Sequence, residues 1–370
     1  MTLPQLERVS FFLGNSLPAL QDSRVAVIGL GGVGSSAVVS LCRTGVRYFY
    51  LQDQDVMDAS ALNRHACATL ADVGILKTEV LRDFLPKINP GVDITISSTY
   101  CSAANMQDIF AWKPDFIITC FDNLPTLEDF VHECKQKDVK FIVSCGAACK
   151  SNPTCIRVGD LSEVTRCKMG RALRMRLAKR GITRGIMCAY STEHIVAEPV
   201  KAEAPTEVTC NNNTASNELK FRRSKLPSMM GVPATFGQVL ASWVIAQTCS
   251  LPFDCPPPFT GRQKLYSAIM TQTEKLGYSS VFHAVDPLIL EELIEEIYMA
   301  SSVVSKEQLK LAFVPWLPEN GLDAGNMVLM TLKEAKNHVK FTNSSQFTYS
   351  KDLLSYVDGL LVKSRSVLAR

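Results

Sequence analysis

Residues 24–34, RVAVIGLGGVG, constrain the fold most. An apolar run from Val25 to Ile28 leads directly into Gly29-x-Gly31-x-x-Gly34, with Gly32 between the last two. Such a turn between strand and helix lets backbone N–H groups approach phosphates at the positive end of a helix. Asp53 closes the next apolar segment, YFYLQD, where a ribose-binding carboxylate belongs. Alone, this fingerprint suits many nucleotide-binding sheets, dehydrogenases included.

Beyond the turn, short apolar runs alternate with amphipathic stretches. Strands are expected at 25–28, 48–52, 93–97, 116–119 and 141–144, and helices at 35–44, 75–88, 104–110 and 126–137. The alternation predicts an α/β fold, a Rossmann-like, doubly wound, mostly parallel sheet with a smaller C-terminal extension. Ligands of such sheets bind beyond the strand C-termini, where Gly29, Asp53 and Asp122 all fall. Residues 24–145 would hold the nucleotide and 146–255 the rest of the first domain. The clearest linker is Cys255-Pro256-Pro257-Pro258, which leaves 256–370 as an extension of unassigned role. In that extension Ile289, Leu293 and Ile297 mark one amphipathic helix with Glu291, Glu292, Glu295 and Glu296 outward. Residues 166–184 carry eight Lys/Arg and no Asp/Glu, with Met169, Leu173 and Leu177 as an apolar stripe, and predict a basic helix. The polar stretch 201–226 reads as a loop, and 233–248 as a buried helix.

The 370 residues are 46% hydrophobic and 20% charged, enough for a large core. The net charge of +3 neither demands nor excludes a polyanionic partner. The 13 cysteines form no CxxC pair, so the spacing argues for small buried hydrophobes in a reducing compartment rather than a zinc site. With no 18-residue apolar run and no basic-then-apolar leader, neither a transmembrane segment nor a secretory signal is expected. A cytoplasmic or mitochondrion-associated location is expected.

Arg64 in ALNRH, Lys77 in GILKTEV and Asp122 in TCFDN narrow the chemistry. A nicotinamide enzyme needs no such set around its phosphates, whereas an enzyme that cuts ATP between α- and β-phosphates does. Charge builds on phosphate oxygens as a carboxylate attacks, so the protein contributes positioning and electrostatics. Arg64 suits the phosphates as a fork and Lys77 as a point charge. Asp122 suits a magnesium ion that keeps several waters. Asn63 suits a phosphate or the metal's shell, and Asp53 with Asp55 the nucleotide's ribose side. Singly, each has a plainer reading. Asp53 is then a strand-end acid, Arg64 and Lys77 are solvated cations, and Asp122 is a cap for the helix that follows Asn123. The specificity lies in the combination.

This ordered set resembles the adenylating domain of the ubiquitin-activating-enzyme-like superfamily, which includes the ThiF-type activators. The resemblance covers about residues 8–245, with INP at Ile88–Pro90 agreeing. It implies that Asp53 holds ribose, Arg64 and Lys77 hold phosphates, and Asp122 binds Mg2+. Within that superfamily the chain looks like the tRNA threonylcarbamoyladenosine dehydratases, in their eukaryotic form. The residues that carry this are PTCIRVGDLSE (153–163), the basic helix, CAYSTE (188–193) and LPSMMGVPATFG (226–237). The likeness implies a homodimer that uses ATP to adenylate a carboxylate of a tRNA-bound nucleoside, after which ring closure expels AMP. It also implies that an N-terminal arginine, matched here by Arg8, reaches into the partner's nucleotide site. Arg171, Arg174, Arg176, Lys179 and Arg180 are then candidate tRNA contacts.

The sequence departs from the pattern at Ala61 and His65, where relatives often carry Asn and Gln, at Asn152 for an Asp, and at Cys167-Lys168-Met169 for a DPL; the second N-terminal arginine is missing. Cys188 aligns with a family cysteine, and Cys210 lies in the polar loop where related activators place an acceptor thiol. The competing readings are an activator of a ubiquitin-like or sulfur-carrier protein, a non-catalytic nucleotide-binding scaffold and a nicotinamide dehydrogenase. The absent CxxC pairs and the basic helix argue against the first. The retained Asp53, Arg64, Lys77 and Asp122 argue against the other two.

Overall fold

The central apolar runs become strands because helices cover both sides of the sheet, while the two edge strands are more polar. Five strands run β1 (Arg24–Ile28), β2 (Tyr48–Gln52), β3 (Asp93–Ser97), β4 (Phe116–Thr119) and β5 (Lys140–Ser144), each within a residue of expectation. Two more, β6 (Ile156–Asp160) and β7 (Met187–Ser191), complete a seven-stranded sheet of order β3-β2-β1-β4-β5-β7-β6. All neighbours are parallel except β6, which pairs antiparallel with β7 at the edge. The computed structural model describes residues 4–193, 227–253 and 262–369, apart from 342, 344 and 346. The polar loop with Cys210 and the Cys255–Pro258 linker therefore lie outside the described residues.

The first unit, Met1–Cys255, buries two cores, one on each sheet face. Side chains alternate between them. Val25, Val27, Phe49, Leu51, Phe116 and Ile118 face one side, and Ala26, Ile28, Tyr50, Ile117 and Val143 the other. On the first face pack α1 (Glu7–Leu13), α2 (Leu17–Asp22), α3 (Gly32–Thr44), α4 (Lys77–Phe84) and later α8 (Gly231–Cys249). On the second pack α5 (Met106–Ala111), α6 (Leu124–Gln136) and α7 (Lys168–Lys179). Strand order reverses between β1 and β4, and that switch point is where a doubly wound sheet opens its crevice.

The second unit, Pro256–Arg370, has its own core. It comprises α9 (Arg262–Lys275), α10 (Pro287–Glu292), α11 (Leu332–His338) and α12 (Lys351–Leu368) around an antiparallel hairpin of β8 (Leu311–Pro315) and β9 (Met327–Thr331). The expectation of four outward glutamates needs correction. After α10 the backbone continues as a π-turn, Leu293–Ile297, whose extra residue per turn rotates Glu295 inward. Glu295 is buried and accepts a hydrogen bond from the Tyr266 hydroxyl. Among the described residues no helix is long and apolar enough to cross a membrane.

Candidate active site

The glycine turn is built by contact. Gly29 sits at φ +90°, and a Cβ there would lie 2.7 Å from the Cys120 carbonyl oxygen. A Cβ on Gly34 would lie 1.9 Å from the Gly29 oxygen, so any side chain would push the turn apart. Gly31 starts α3 without a side-chain cap, which leaves the helix's first amides to a ligand. Gly32 follows under Arg64, whose Cγ is 3.1 Å from the place a Cβ would take.

Asp53 emerges from the end of β2 and braces the turn. Its Oδ2 accepts from the Leu30 amide at 2.6 Å and its Oδ1 from the Asp55 amide at 2.8 Å. Burial pushes the Asp53 pKa up, against the pull of Lys77 and the two amides. Lys77 opens α4, fixed there by its own amide on the Asp55 carbonyl and by a bridge between Val56 and Leu76. Its Nζ lies 2.8 Å from Asp55 Oδ2 and 3.8 Å from Asp53 Oδ2, with 11% of the side chain exposed. A largely buried cation thus stands beside the turn, held by two carboxylates.

Arg64 donates from Nη1 to the Ser60 carbonyl (2.8 Å) and to Asn63 Oδ1 (2.9 Å). Asn63 in turn donates from Nδ2 to the Ser228 carbonyl at 2.8 Å, which ties the arginine's loop to the segment before α8. Asp122, at the end of β4, is exposed and has no hydrogen-bond or ion-pair partner among the described residues. The helix cap is its neighbour, Asn123, which accepts from the Thr126 amide at 3.0 Å. That leaves the Asp122 carboxylate open to a cation. Among the described residues no group of three His, Cys, Asp or Glu is placed to hold a metal alone. A hard cation that keeps its waters and takes one carboxylate fits this donor set.

Arg8 does not join these residues within the chain. It is exposed on α1 and lines a groove with Thr44, at the far end of α3 from the glycine turn. With 13 residues in α3, the two ends stand roughly 18 Å apart. Phe11 and Phe12 beside it are 80% and 76% exposed.

The basic helix divides. Arg171 and Arg174 are each only 8% exposed, and Arg174 Nη1 donates to the Val164 carbonyl at 2.9 Å. Arg176 and Arg180 share Glu128, at 2.5 and 2.7 Å, and Arg180 also pairs with Asp129 at 2.6 Å. Lys179 and Lys168 are exposed. Cys188 is fully buried with its Sγ toward the Gly159 carbonyl, beside Cys145, whose thiol is held well above its ordinary range: a hydrogen bond with Cys167 pulls it down, but one with Cys188 and then burial push it up.

One residue gained significance only in three dimensions. His65 is 5% exposed, its Nδ1 accepts from the Ala68 amide at 3.2 Å, and its Nε2 has no partner. Burial, then the Lys77 charge, pushes its pKa down to about 4. At the C-terminal rim of the sheet, Gln52 Oε1 and Thr119 Oγ1 are buried and unpartnered too. No sequence pattern marks an unmatched polar atom; the only sign was that His65 departs from a glutamine.

Comparison with known proteins matches residues 4–301 to the ThiF family. The chain belongs to that family. Among its relatives is tRNA threonylcarbamoyladenosine dehydratase 2 of Saccharomyces cerevisiae, 32% identical over 94% of this chain and 80% of the yeast protein. The Bacillus subtilis tRNA threonylcarbamoyladenosine dehydratase is 29% identical over 66% of this chain and 94% of its own length. The fold is shared with the Escherichia coli tRNA N6-threonylcarbamoyladenosine dehydratase crystallised with AMP, at a TM-score of 0.57 and 24% identity over 66% of this chain and 94% of that one.

Proposed function

We propose that this protein is an ATP-dependent tRNA threonylcarbamoyladenosine dehydratase. The observation that carries the reading is the Asp53–Lys77–Arg64 arrangement around an uncapped helix N-terminus, in a chain that aligns with a yeast dehydratase along 94% of its length. A carboxylate oxygen of the modified nucleoside attacks the α-phosphorus, and the bond to the bridging oxygen breaks to release pyrophosphate. A nucleophile in the same side chain then attacks the acyl carbon, closes the ring and expels AMP, so the nucleoside emerges one water lighter.

The chain's own groups have separate tasks in this scheme. Asp53 takes the ribose hydroxyls while its hold on the Leu30 amide keeps the turn in shape. Lys77 and Arg64 stabilise charge on the phosphates, joined by the first amides of α3. Asp122 would hold Mg2+, which when bound neutralises phosphate charge. Residues 1–255 act as the adenylating domain. A homodimer completes the site in this reading, with Arg8 supplied across the interface; the exposed Phe11 and Phe12 on the same helix support an apolar contact there. Lys168, Arg176, Lys179 and Arg180 face tRNA from the exposed side of α7, whereas Arg171 and Arg174 work inside the protein.

The test is AMP release from ATP and magnesium, with and without tRNA carrying threonylcarbamoyladenosine, followed by mass spectrometry of the nucleosides. The expected result is tRNA-dependent AMP and a nucleoside lighter by one water. Lys77→Ala and Asp122→Ala should each lower the rate roughly 100-fold or more without unfolding the protein. ATP binding without tRNA-dependent AMP would point instead to activation of a carrier protein or to a scaffold.

A further inference from the structure

Along the C-terminal rim of the sheet the site residues follow strand order. Asp53 stands at the end of β2, the glycine turn at the end of β1 and Asp122 at the end of β4. The next strand is β5, and the turn beyond it, residues 145–152, has no task among those assigned so far. Neighbouring strands lie about 4.8 Å apart, so this turn leaves the sheet roughly 10 Å from the glycine turn, on the side away from Asp53. Its one charged residue is Lys150. Lys150 is only 6% exposed, yet its Nζ makes a single hydrogen bond, to the Gly146 carbonyl at 3.0 Å, and no ion pair among the described residues.

The turn is braced around this lysine. Cys149 takes φ +62°, a left-handed conformation that disfavours a side chain, and the chain thereby folds Lys150 back over Gly146. Glu193 holds the turn without serving as the counter-ion. Its Oε1 accepts from the Ser151 amide and hydroxyl, each at 2.9 Å, and its Oε2 from the Asn152 amide at 2.8 Å. The Cys149 amide donates to the Pro227 carbonyl at 2.8 Å, and the next carbonyl, that of Ser228, takes the Asn63 bond beside Arg64. One short segment therefore ties the lysine's turn to the loop that carries Arg64. An ammonium withdrawn from water is costly unless an anion meets it.

We propose that Lys150 binds the carboxylate of the incoming substrate: its remaining N–H groups grip one carboxylate oxygen while the other oxygen faces the α-phosphorus. The proposal rests on the dehydratase reading above. The position favours a carboxylate over a phosphate of ATP. Lys77, Arg64 and the first amides of α3 already serve the phosphates, and Lys150 lies past Asp122 on the side opposite the ribose, where the acyl group must enter.

The experiment uses the full-length protein, as wild type and as Lys150→Met, which keeps the aliphatic stem and removes the charge. It measures affinity for a non-hydrolysable ATP analogue and kcat/KM for tRNA carrying threonylcarbamoyladenosine in the AMP-release assay. It also measures inhibition of that reaction by the free nucleoside, as its carboxylic acid and as its carboxamide. In the wild type the acid should bind about tenfold tighter than the amide, as one hydrogen bond between charged groups allows. Lys150→Met should lose that preference and about tenfold in kcat/KM, with affinity for the analogue within about twofold. Its melting temperature should hold or rise, because an uncompensated buried charge has gone. A lysine that merely holds the Gly146 carbonyl would give a lower melting temperature with kcat/KM and the preference for the acid unchanged, and that outcome overturns the proposal. A matching loss of affinity for the analogue would put the anion on ATP and overturn it too. If the variant does not fold, the wild type still decides, since equal inhibition by acid and amide defeats the proposal. A wild type that releases no AMP in response to tRNA sinks the dehydratase reading and this inference with it; an active wild type indifferent to the exchange of acid for amide defeats this inference alone.

Discussion

A histidine that resists protonation in the native state makes folding sensitive to acid. The folded pKa of His65 is near 4, while an unfolded chain would hold it at its ordinary 6.5. As pH falls below 6.5 the unfolded state takes up the proton first, so stability drops through the window from 6.5 to 4 and is fully present above it. Integrated to pH 4.5, the loss is roughly 2–3 kcal/mol. His65→Gln has no such proton to bind. The difference between the two urea-unfolding free energies should therefore shift by about that amount between pH 7 and 4.5, in the variant's favour. Parallel curves would mean that the ring is hydrated and titrates normally. Other acid-sensitive groups, such as Glu193 with its pKa lowered by the Ser151 and Asn152 amides against the cost of burial, are common to both proteins and cancel in the comparison.

At the scale of elements, α7 shows how one basic helix carries two kinds of arginine. Arg174 stands one residue after Leu173 and three before Leu177, next to the apolar stripe, so it follows those leucines inward. Arg174→Ala should lower stability by roughly 1–3 kcal/mol, because the Val164 carbonyl loses its donor and the site loses packing. Lys179→Glu should leave the melting temperature unchanged while weakening tRNA binding and reducing its salt dependence by about one counterion. A Lys179→Glu protein with wild-type tRNA affinity would remove α7 from the footprint. The sequence made the helix legible through its stripe, but not which cations adjoin that stripe closely enough to be buried. The same limit runs through the fold. β1, β2, β4 and β5 were legible because a strand covered on both faces carries an unbroken apolar run, and β3 because Ile94 and Ile96 alternate with polar residues, whereas β6 shows only one buried residue, Val158, and offers no run to read. β8 is apolar throughout and β9 apolar up to Thr331, yet neither is flanked by a motif that marks a hairpin. The four glutamates after Pro287 fit a regular 3.6-residue period, and a π-turn breaks that period without any local residue announcing it. In the candidate site, Asp53, Arg64, Lys77 and Asp122 stood out by type and order. His65 did not, because what distinguishes it is a missing partner.

For the whole molecule, the division of cores bears on where the chemistry resides. Among the described residues, the two main cores of the first unit contain none past Phe253, and the core of the second begins at Leu265. Every residue assigned to the nucleotide, from Gly29 to Asp122, belongs to the first unit, and so do both ends of the hydrogen bond from Asn63 to Ser228. The family match nevertheless runs to residue 301, across the division and into the second unit. Hydrophobic burial sets independent folding, and family extent does not, so the two criteria separate here. A chain of residues 1–255 should fold cooperatively and gain thermal stability from an ATP analogue to within a few degrees of the full-length protein's gain, since the ligand's free energy acts on the unit that binds it. If the shortened chain is unfolded or indifferent to the analogue, residues 256–301 are part of the adenylating unit and the core boundary at 255 is not the functional one. If it binds the analogue but no longer releases AMP in response to tRNA, the second unit serves the tRNA and leaves the phosphate chemistry untouched.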